Sequence, residues 1–172
     1  LMPFAKAVTN GYQPLGGVLV GDRITDVVKS EGGEFAHGYT YSGHPAACAA
    51  ALATLDILQQ DQVIERVRDD LAPYLQSRWA ELADHPLVGE TRGVGFLCAM
   101  ELVRDKASRE RFDEDGGAGT LCRNLSVANG LVMRAVGDTM ISAPPLVLTR
   151  GQVDELVEKA RTALDLTAAE LF

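Results

Sequence analysis

A chain of 172 residues, 47% hydrophobic and 23% charged, has the composition of an ordinary globular protein and enough length for one sizeable core or two small lobes. Its formal net charge of −8 argues against a nucleic-acid or anionic-membrane partner, because phosphate backbones are gripped by basic patches; a local pocket can still hold one phosphate. There is no run of roughly eighteen apolar residues to predict a membrane span.

The chain begins Leu1-Met2-Pro3-Phe4, without the basic flank or apolar length of a signal peptide. Cys48, Cys98 and Cys122 are far apart and match no metal-ligand spacing. Read as reduced structural thiols, they suit a cytoplasmic protein and predict no metal site.

Leu1 to Ala5 reads as a short strand, with Pro3 placing it at an edge. Lys6 follows, held among Phe4, Ala5, Ala7 and Val8, ahead of an Asn10-Gly11 turn and a Pro14-Leu15-Gly16-Gly17 corner. A lysine so surrounded loses hydration, which favours the neutral amine, and a neutral amine is a nucleophile toward aldehydes. The alternative is a strand-ending lysine whose ammonium reaches to water.

Val18-Leu19-Val20 predicts a second strand, and Asp22 a cap for a helix running through Val27 and Val28. The Gly32-Gly33 pair opens a loop to His44. Pro45 to Leu58 is alanine-rich and predicts a helix with proline in its first turn, open to close approach by a neighbour, as at a subunit seam. The hydroxyls and glycine of Thr40-Tyr41-Ser42-Gly43 stand before that helix, where an anion can bind or where they simply cap.

Asp61 is placed to cap a longer helix carrying Val63, Ile64, Val67, Leu71, Tyr74, Leu75, Trp79 and Leu82 at helical spacing. Pro73 bends that helix unless it sits at a helix start. It is the candidate link between two domains; His85 beyond it is given no chemistry. Val94 to Val103 predicts a strand, and its Gly93-Val94-Gly95 entry lacks the third glycine and following helix of a nucleotide loop. Arg104 to Asp115 with Gly116-Gly117 predicts an exposed excursion, and Thr120 to Ala128 a helix stopped by Asn129-Gly130.

Leu131 to Val136 and Met140 to Ala143 predict a hairpin about a Gly137-Asp138 turn. Arg134 in the first of these strands is either a surface arginine or a two-pronged carboxylate anchor with room to swing beside the turn. Thr149-Arg150-Gly151-Gln152 is a capping-box pattern opening a helix with Val153, Leu156, Val157, Ala160 and Leu164 on one face.

Three blocks carry a resemblance. Ala5 to Gly17 (AKAVTNGYQPLGG), His37 to Pro45 (HGYTYSGHP), and Met133 to Asp138 with Ser142 to Leu146 resemble, in order, segments of the class III aminotransferases, pyridoxal-phosphate enzymes acting on ω-amino acids and amines. The wording of the first and third is similar to the ω-amino acid (β-alanine or amine):pyruvate branch. The resemblance implies an α/β fold, the C-terminal portion of a fold-type-I pyridoxal-phosphate-dependent transferase. Residues 1–60 would end the large cofactor-binding domain; residues 61–172 would form the linking helix and a small α+β domain.

It also implies roles. Lys6 would form the Schiff base with pyridoxal 5'-phosphate and Thr40 would donate its hydroxyl to the phosphate, from the partner subunit of a homodimer or higher homo-oligomer with shared active sites. Tyr39 would line the neighbour's substrate pocket, and Arg134 would anchor the substrate carboxylate. The implied reaction is ping-pong transfer of an amino group from an ω-amino acid or amine to pyruvate or a similar 2-oxo acid.

In the family the acid at the pyridine nitrogen, the glycine-rich phosphate loop and the aromatic stacked on the ring precede the lysine. The expectation is therefore the C-terminal part of a longer enzyme, inactive alone. Ala7 departs from the family, where glycine is frequent after the lysine. A glutamate-semialdehyde-type aminomutase and a non-catalytic dimerisation fragment remain the alternatives.

Overall fold

A computed structural model of the chain describes residues 1–32 and 35–172. It divides into two compact units, Leu1–Gln62 and Val63–Phe172.

In the first unit, β1 (Met2–Ala5) pairs antiparallel with β2 (Gly16–Leu19), Met2 opposite Leu19 and Ala5 opposite Gly16. Gly17 stands opposite Phe4, and a Cβ there would collide with the Phe4 ring, so the corner requires a glycine. Helix α1 (Asp22–Glu31) starts one residue differently from expectation. Gly21 holds the extended capping position with no side chain closing it, and Asp22 is the first helical residue, its charge favourable there. The loop expected from Gly32-Gly33 to His44 lies in part outside the described residues, at Gly33 and Glu34.

Helix α2 (Pro45–Gln60) has proline in its first turn, as expected, and the His44 imidazole accepts from the Ala47 N–H at 3.4 Å. The hydroxyls before it are not its cap. Ser42 Oγ instead accepts from the Tyr39 N–H at 2.9 Å and closes its own turn. Ala47 and Ala51 are buried, and α2 packs against the short 3-10 turn Lys6–Thr9. Leu52, Leu55 and Ile57 on the same helix are exposed.

The second unit opens with α3 (Val63–Arg66), a π-turn (Val67–Leu71) and α4 (Ala72–Ala80). Pro73 lies in the first turn of α4. Proline has no N–H to give the preceding turn and its ring needs room, and the wide π-turn just before it supplies that room.

The sheet is antiparallel, in the order β3-β4-β6-β5, built from β3 (Val88–Val94), β4 (Leu97–Leu102), β5 (Arg134–Val136) and β6 (Thr139–Ser142). The strand expected over Val94–Val103 is corrected to the tip of a hairpin plus β4. Gly95 takes φ 58 at the tip, and a Cβ on Gly93 would come within 2.5 Å of the Leu97 carbonyl. The two glycines thus serve a tight hairpin, which explains why no nucleotide loop follows.

Alternation places Cys98, Met100, Leu102 and Met140 on the buried face, where they join Leu75, Trp79 and Leu82 of the helical side. Trp79 Nε1 donates to the Ala99 carbonyl at 3.0 Å, so its polar edge is satisfied inside the core. On the opposite face Glu101 accepts from Arg92 at 3.1 Å and from Thr139 Oγ1 at 3.0 Å.

Helix α5 (Gly117–Ala128) stops at Asn129, with Gly130 left-handed, as predicted. Helix α6 (Arg150–Leu171) carries the predicted capping box and buries Val153, Leu156, Val157, Ala160 and Leu164, together with Ala163 and Thr167. Among the described residues no helix is long and apolar enough to cross a membrane, and no cluster of acidic, histidine or cysteine side chains could hold a metal ion.

Candidate active site

Lys6 stands where β1 breaks into the 3-10 turn, and its φ of 54 lies in the left-handed region. A lysine held there is strained by an energy on the order of 1 kcal/mol, which such positions repay at functional sites. Ala7 is not left-handed, so its methyl carries no such penalty where the family often has glycine.

The turn is tied from below. Thr9 is fully buried and its hydroxyl donates to the Gln13 carbonyl, closing the loop across its base. Asn10 and Gly11 are both left-handed, with Asn10 N–H on the Ala7 carbonyl and Tyr12 N–H on the Thr9 carbonyl, each at 3.0 Å. Thr9 was not singled out from sequence; a threonine directly ahead of an Asn-Gly pair was the available signal.

Ala5, Lys6, Gly11, Gln13, Pro14, Leu15 and Gly16 line an open concavity of about 710 Å³. Lys6 itself is exposed, and its amine makes no hydrogen bond or ion pair with a described residue. The shelter expected from Phe4, Ala5, Ala7 and Val8 is therefore corrected. All but half-buried Val8 are themselves exposed, and the Phe4 ring is spent on Gly17 across the hairpin.

Tyr39 and Thr40 lie in the same unit, in the turn closed by Ser42 ahead of α2. Both are exposed, and the Thr40 hydroxyl has no hydrogen-bond partner among the described residues. The turn precedes the positive end of a 16-residue helix, a favourable place for an anion. Neither residue lines the Lys6 concavity.

Arg134 belongs to the other unit. It is the first residue of the edge strand β5, opposite Ile141, exposed and in no ion pair with a described residue. The Gly137-Asp138 turn beside it is pinned, so any swing belongs to the exposed Arg134 side chain and not to its backbone. Asp138 Oδ1 accepts from the Gly119 N–H at 2.8 Å, the Asp138 carbonyl from the Leu102 N–H at 2.9 Å, and Gly119 leaves no space for a Cβ beside the Gly137 carbonyl. With Met133 buried on its other side, Arg134 sits on fixed backbone and only its long side chain is free.

The Cys98 and Cys122 thiols are inert by position. Burial pushes Cys98 up to about 11 against a partly offsetting Gln76 hydrogen bond, and raises Cys122 in the same way.

The model of the class-III aminotransferases matches residues 1–164 of the chain. The putrescine–pyruvate aminotransferase of Pseudomonas aeruginosa is 59% identical over 172 residues, covering all of this chain and 37% of its own length. Among solved structures, a transaminase obtained by ancestral reconstruction superposes with a TM-score of 0.92 at 44% identity, covering 99% of this chain and 38% of its own. An aminotransferase of Vibrio fluvialis in its PMP-bound form gives 0.89 at 37% identity, again over 99% of this chain and 38% of its own. The chain thus spans little more than a third of the length of the relatives it matches.

Proposed function

The chain belongs to the class-III aminotransferase family, and we propose that it carries the lysine half of a pyridoxal-phosphate site that moves an amino group from an ω-amino acid or amine to pyruvate. Residues 1–60 are read as the end of the large cofactor-binding domain of a fold-type-I transferase, and residues 61–172 as the linking helix and small α+β domain. The assembly is read as a cytoplasmic homodimer or higher homo-oligomer with shared sites.

The residues present fit the cofactor. A primary amine without an ion-pair partner among the described residues stands on left-handed backbone at a concavity. An unpartnered hydroxyl precedes a helix N-terminus, where backbone N–H groups favour a phosphate. Lys6 Nζ would hold the cofactor and Thr40, from the neighbouring subunit, its phosphate. When bound, pyridoxal phosphate supplies the electron sink for the carbon that bears the amino group.

The chain's own side chains do the rest. Lys6 Nζ, once free, takes the proton from that carbon and returns it to the acceptor carbon, which demands an amine that is neutral for part of the cycle. Arg134 grips a carboxylate with two parallel hydrogen bonds, fitting pyruvate and ω-amino acids alike. Tyr39 forms part of the pocket wall that the donor's stem meets.

The observation that carries this reading is the strained φ of 54 at Lys6, the one residue of its segment whose amine the reaction needs. In the whole protein, Lys6→Ala should abolish the visible absorbance of lysine-linked cofactor and slow alanine formation from pyruvate by roughly a thousandfold or more. A wild-type protein without that absorbance, or a Lys6→Ala variant that keeps it, overturns the reading. Conversion of pyruvate to alanine also separates it from an aminomutase, which consumes no second substrate.

A further inference from the structure

Arg134 is the first of only three residues in β5, and that edge strand has a single neighbour in the sheet, β6. The register pairs Arg134 with Ile141, Ala135 with Met140 and Val136 with Thr139. A strand this short takes its place from whatever holds its ends. At about 3.3 Å per residue, the Gly137-Asp138 turn lies only about 10 Å from Arg134.

That turn is held from three sides. Asp138 Oδ1 accepts from the Gly119 N–H of α5 at 2.8 Å, and the Asp138 carbonyl accepts from the Leu102 N–H of β4 at 2.9 Å. One residue on, Thr139 Oγ1 donates to Glu101 at 3.0 Å. All of these partners belong to the second unit.

The bond to α5 has a clear physical origin. The helix begins at Gly117, and the capping residue before it, Gly116, has no side chain to close it. Gly119 is the third helical residue, whose N–H a capping side chain would ordinarily satisfy. Asp138 supplies that oxygen from 19 residues along the chain, and its negative charge suits the positive end of the helix. The approach requires bare backbone, since a Cβ on Gly119 would collide with the Gly137 carbonyl.

We propose that Asp138 is a positioning residue for the carboxylate anchor: by capping α5 from across the turn, it fixes β5 and with it the base of the Arg134 side chain. This rests on the reading above, in which Arg134 grips a substrate carboxylate. Two parallel hydrogen bonds tolerate little displacement, so a loosened β5 weakens carboxylate binding in the ground state and the transition state alike. The signature is a raised KM with kcat kept. A simple loss of folded protein would do the reverse, lowering the amount of active enzyme while the remaining sites keep their KM.

Steady-state kinetics of the whole holoenzyme test the role, with β-alanine as donor, pyruvate as acceptor and propionate as an unreactive carboxylate inhibitor. Asp138→Ala should raise KM for pyruvate and the inhibition constant of propionate about tenfold each, with kcat at saturation within about twofold. Asp138→Asn keeps an accepting oxygen and should recover most of both constants. Gly119→Ala pushes the same turn from the helix side and should show the same split. It carries the test if Asp138→Ala yields no holoenzyme, and cofactor absorbance on every variant reports how much assembled site is present.

Unchanged constants in Asp138→Ala and Gly119→Ala, a fall confined to kcat, or an Asp138→Asn as impaired as Asp138→Ala overturns the positioning role. Arg134→Ala in the same assay distinguishes a deeper failure. If it leaves KM for pyruvate and the propionate constant unchanged, the anchor itself is overturned, and the role of Asp138 falls with it.

Discussion

The two units differ in who closes their cores. Val63–Phe172 buries Trp79, Leu75, Leu82, Met100, Leu102, Met140 and Leu164 almost completely between a sheet and its helices. In Leu1–Gln62 the buried residues, among those described, are Thr9, Ala47 and Ala51, while Val18, Leu19, Leu52, Leu55 and Ile57 stay exposed. The lysine, threonine and tyrosine of the proposed site all belong to the unit whose apolar faces this chain leaves open. The well-packed core and the proposed site, Arg134 apart, thus lie in different stretches of the sequence. The missing shelter around Lys6 is the same fact seen locally, since desolvation is supplied by neighbours and this unit offers few of its own.

The contrast is sharpest for large side chains. Trp79→Ala should cost about 3–5 kcal/mol in denaturant unfolding, because it removes a core ring together with its hydrogen bond to the Ala99 carbonyl. Leu55→Ala on α2 should cost the isolated chain less than about 0.5 kcal/mol. Equal costs would mean that α2 is covered by the chain itself and would break the comparison.

Next in size is the bolt between α5 and the Gly137-Asp138 turn. Gly119→Ala drives a methyl into the Gly137 carbonyl and should destabilise the second unit by about 1–3 kcal/mol. A neutral result, read by melting temperature, would show that the turn yields and that Arg134 stands on movable backbone after all. Smaller still, Thr149→Ala opens the α6 capping box and should cost about 1 kcal/mol.

The smallest effect is a pH slope. The Leu87 N–H donates to His85 Nδ1 at 3.1 Å, which leaves the ring proton on Nε2, 3.3 Å from Asp165 Oδ1. Burial pushes His85 below its ordinary value; Asp165 partly offsets this, while the charges of Arg161 and Lys106 add to the lowering. Below the ordinary histidine value of about 6.5, the unfolded chain binds a proton that the folded one resists. The stability present above that pH is therefore lost as pH falls through the lowered value. Melting followed from about pH 7 to about pH 5 should fall less steeply in His85→Gln than in the wild type. An unchanged slope would remove His85 from the account.

Legibility followed periodicity and local chemistry. The final helix was readable to its cap because Thr149 and Gln152 close their own hydrogen bonds and the apolar spacing runs unbroken. The Asn10-Gly11, Asn129-Gly130 and Gly137 turns were readable because left-handed backbone leaves a mark in residue type. Strand β3 was missed, since Val-Gly-Glu-Thr-Arg-Gly-Val has no apolar run and carries two glycines and two charges, and it is a strand because β4 lies beside it. The start of α1 moved by one residue because Gly21, not Asp22, takes the extended capping conformation.

For the proposed site, sequence alone settled which residue types stand in which order: an amine before an Asn-Gly turn, hydroxyls before an alanine helix, an arginine on a short strand. Residue order is written in the chain, and local turns and caps depend on a few neighbours along it. Tertiary structure decided what those residues experience: the exposure of Lys6, the burial of Ala47 and Ala51 where α2 meets the 3-10 turn, and the Asp138 hydrogen bonds to Gly119 and Leu102 that pin the turn near Arg134. Burial, strain and hydrogen-bond partners arise between residues distant in sequence, and no reading of spacing can supply them.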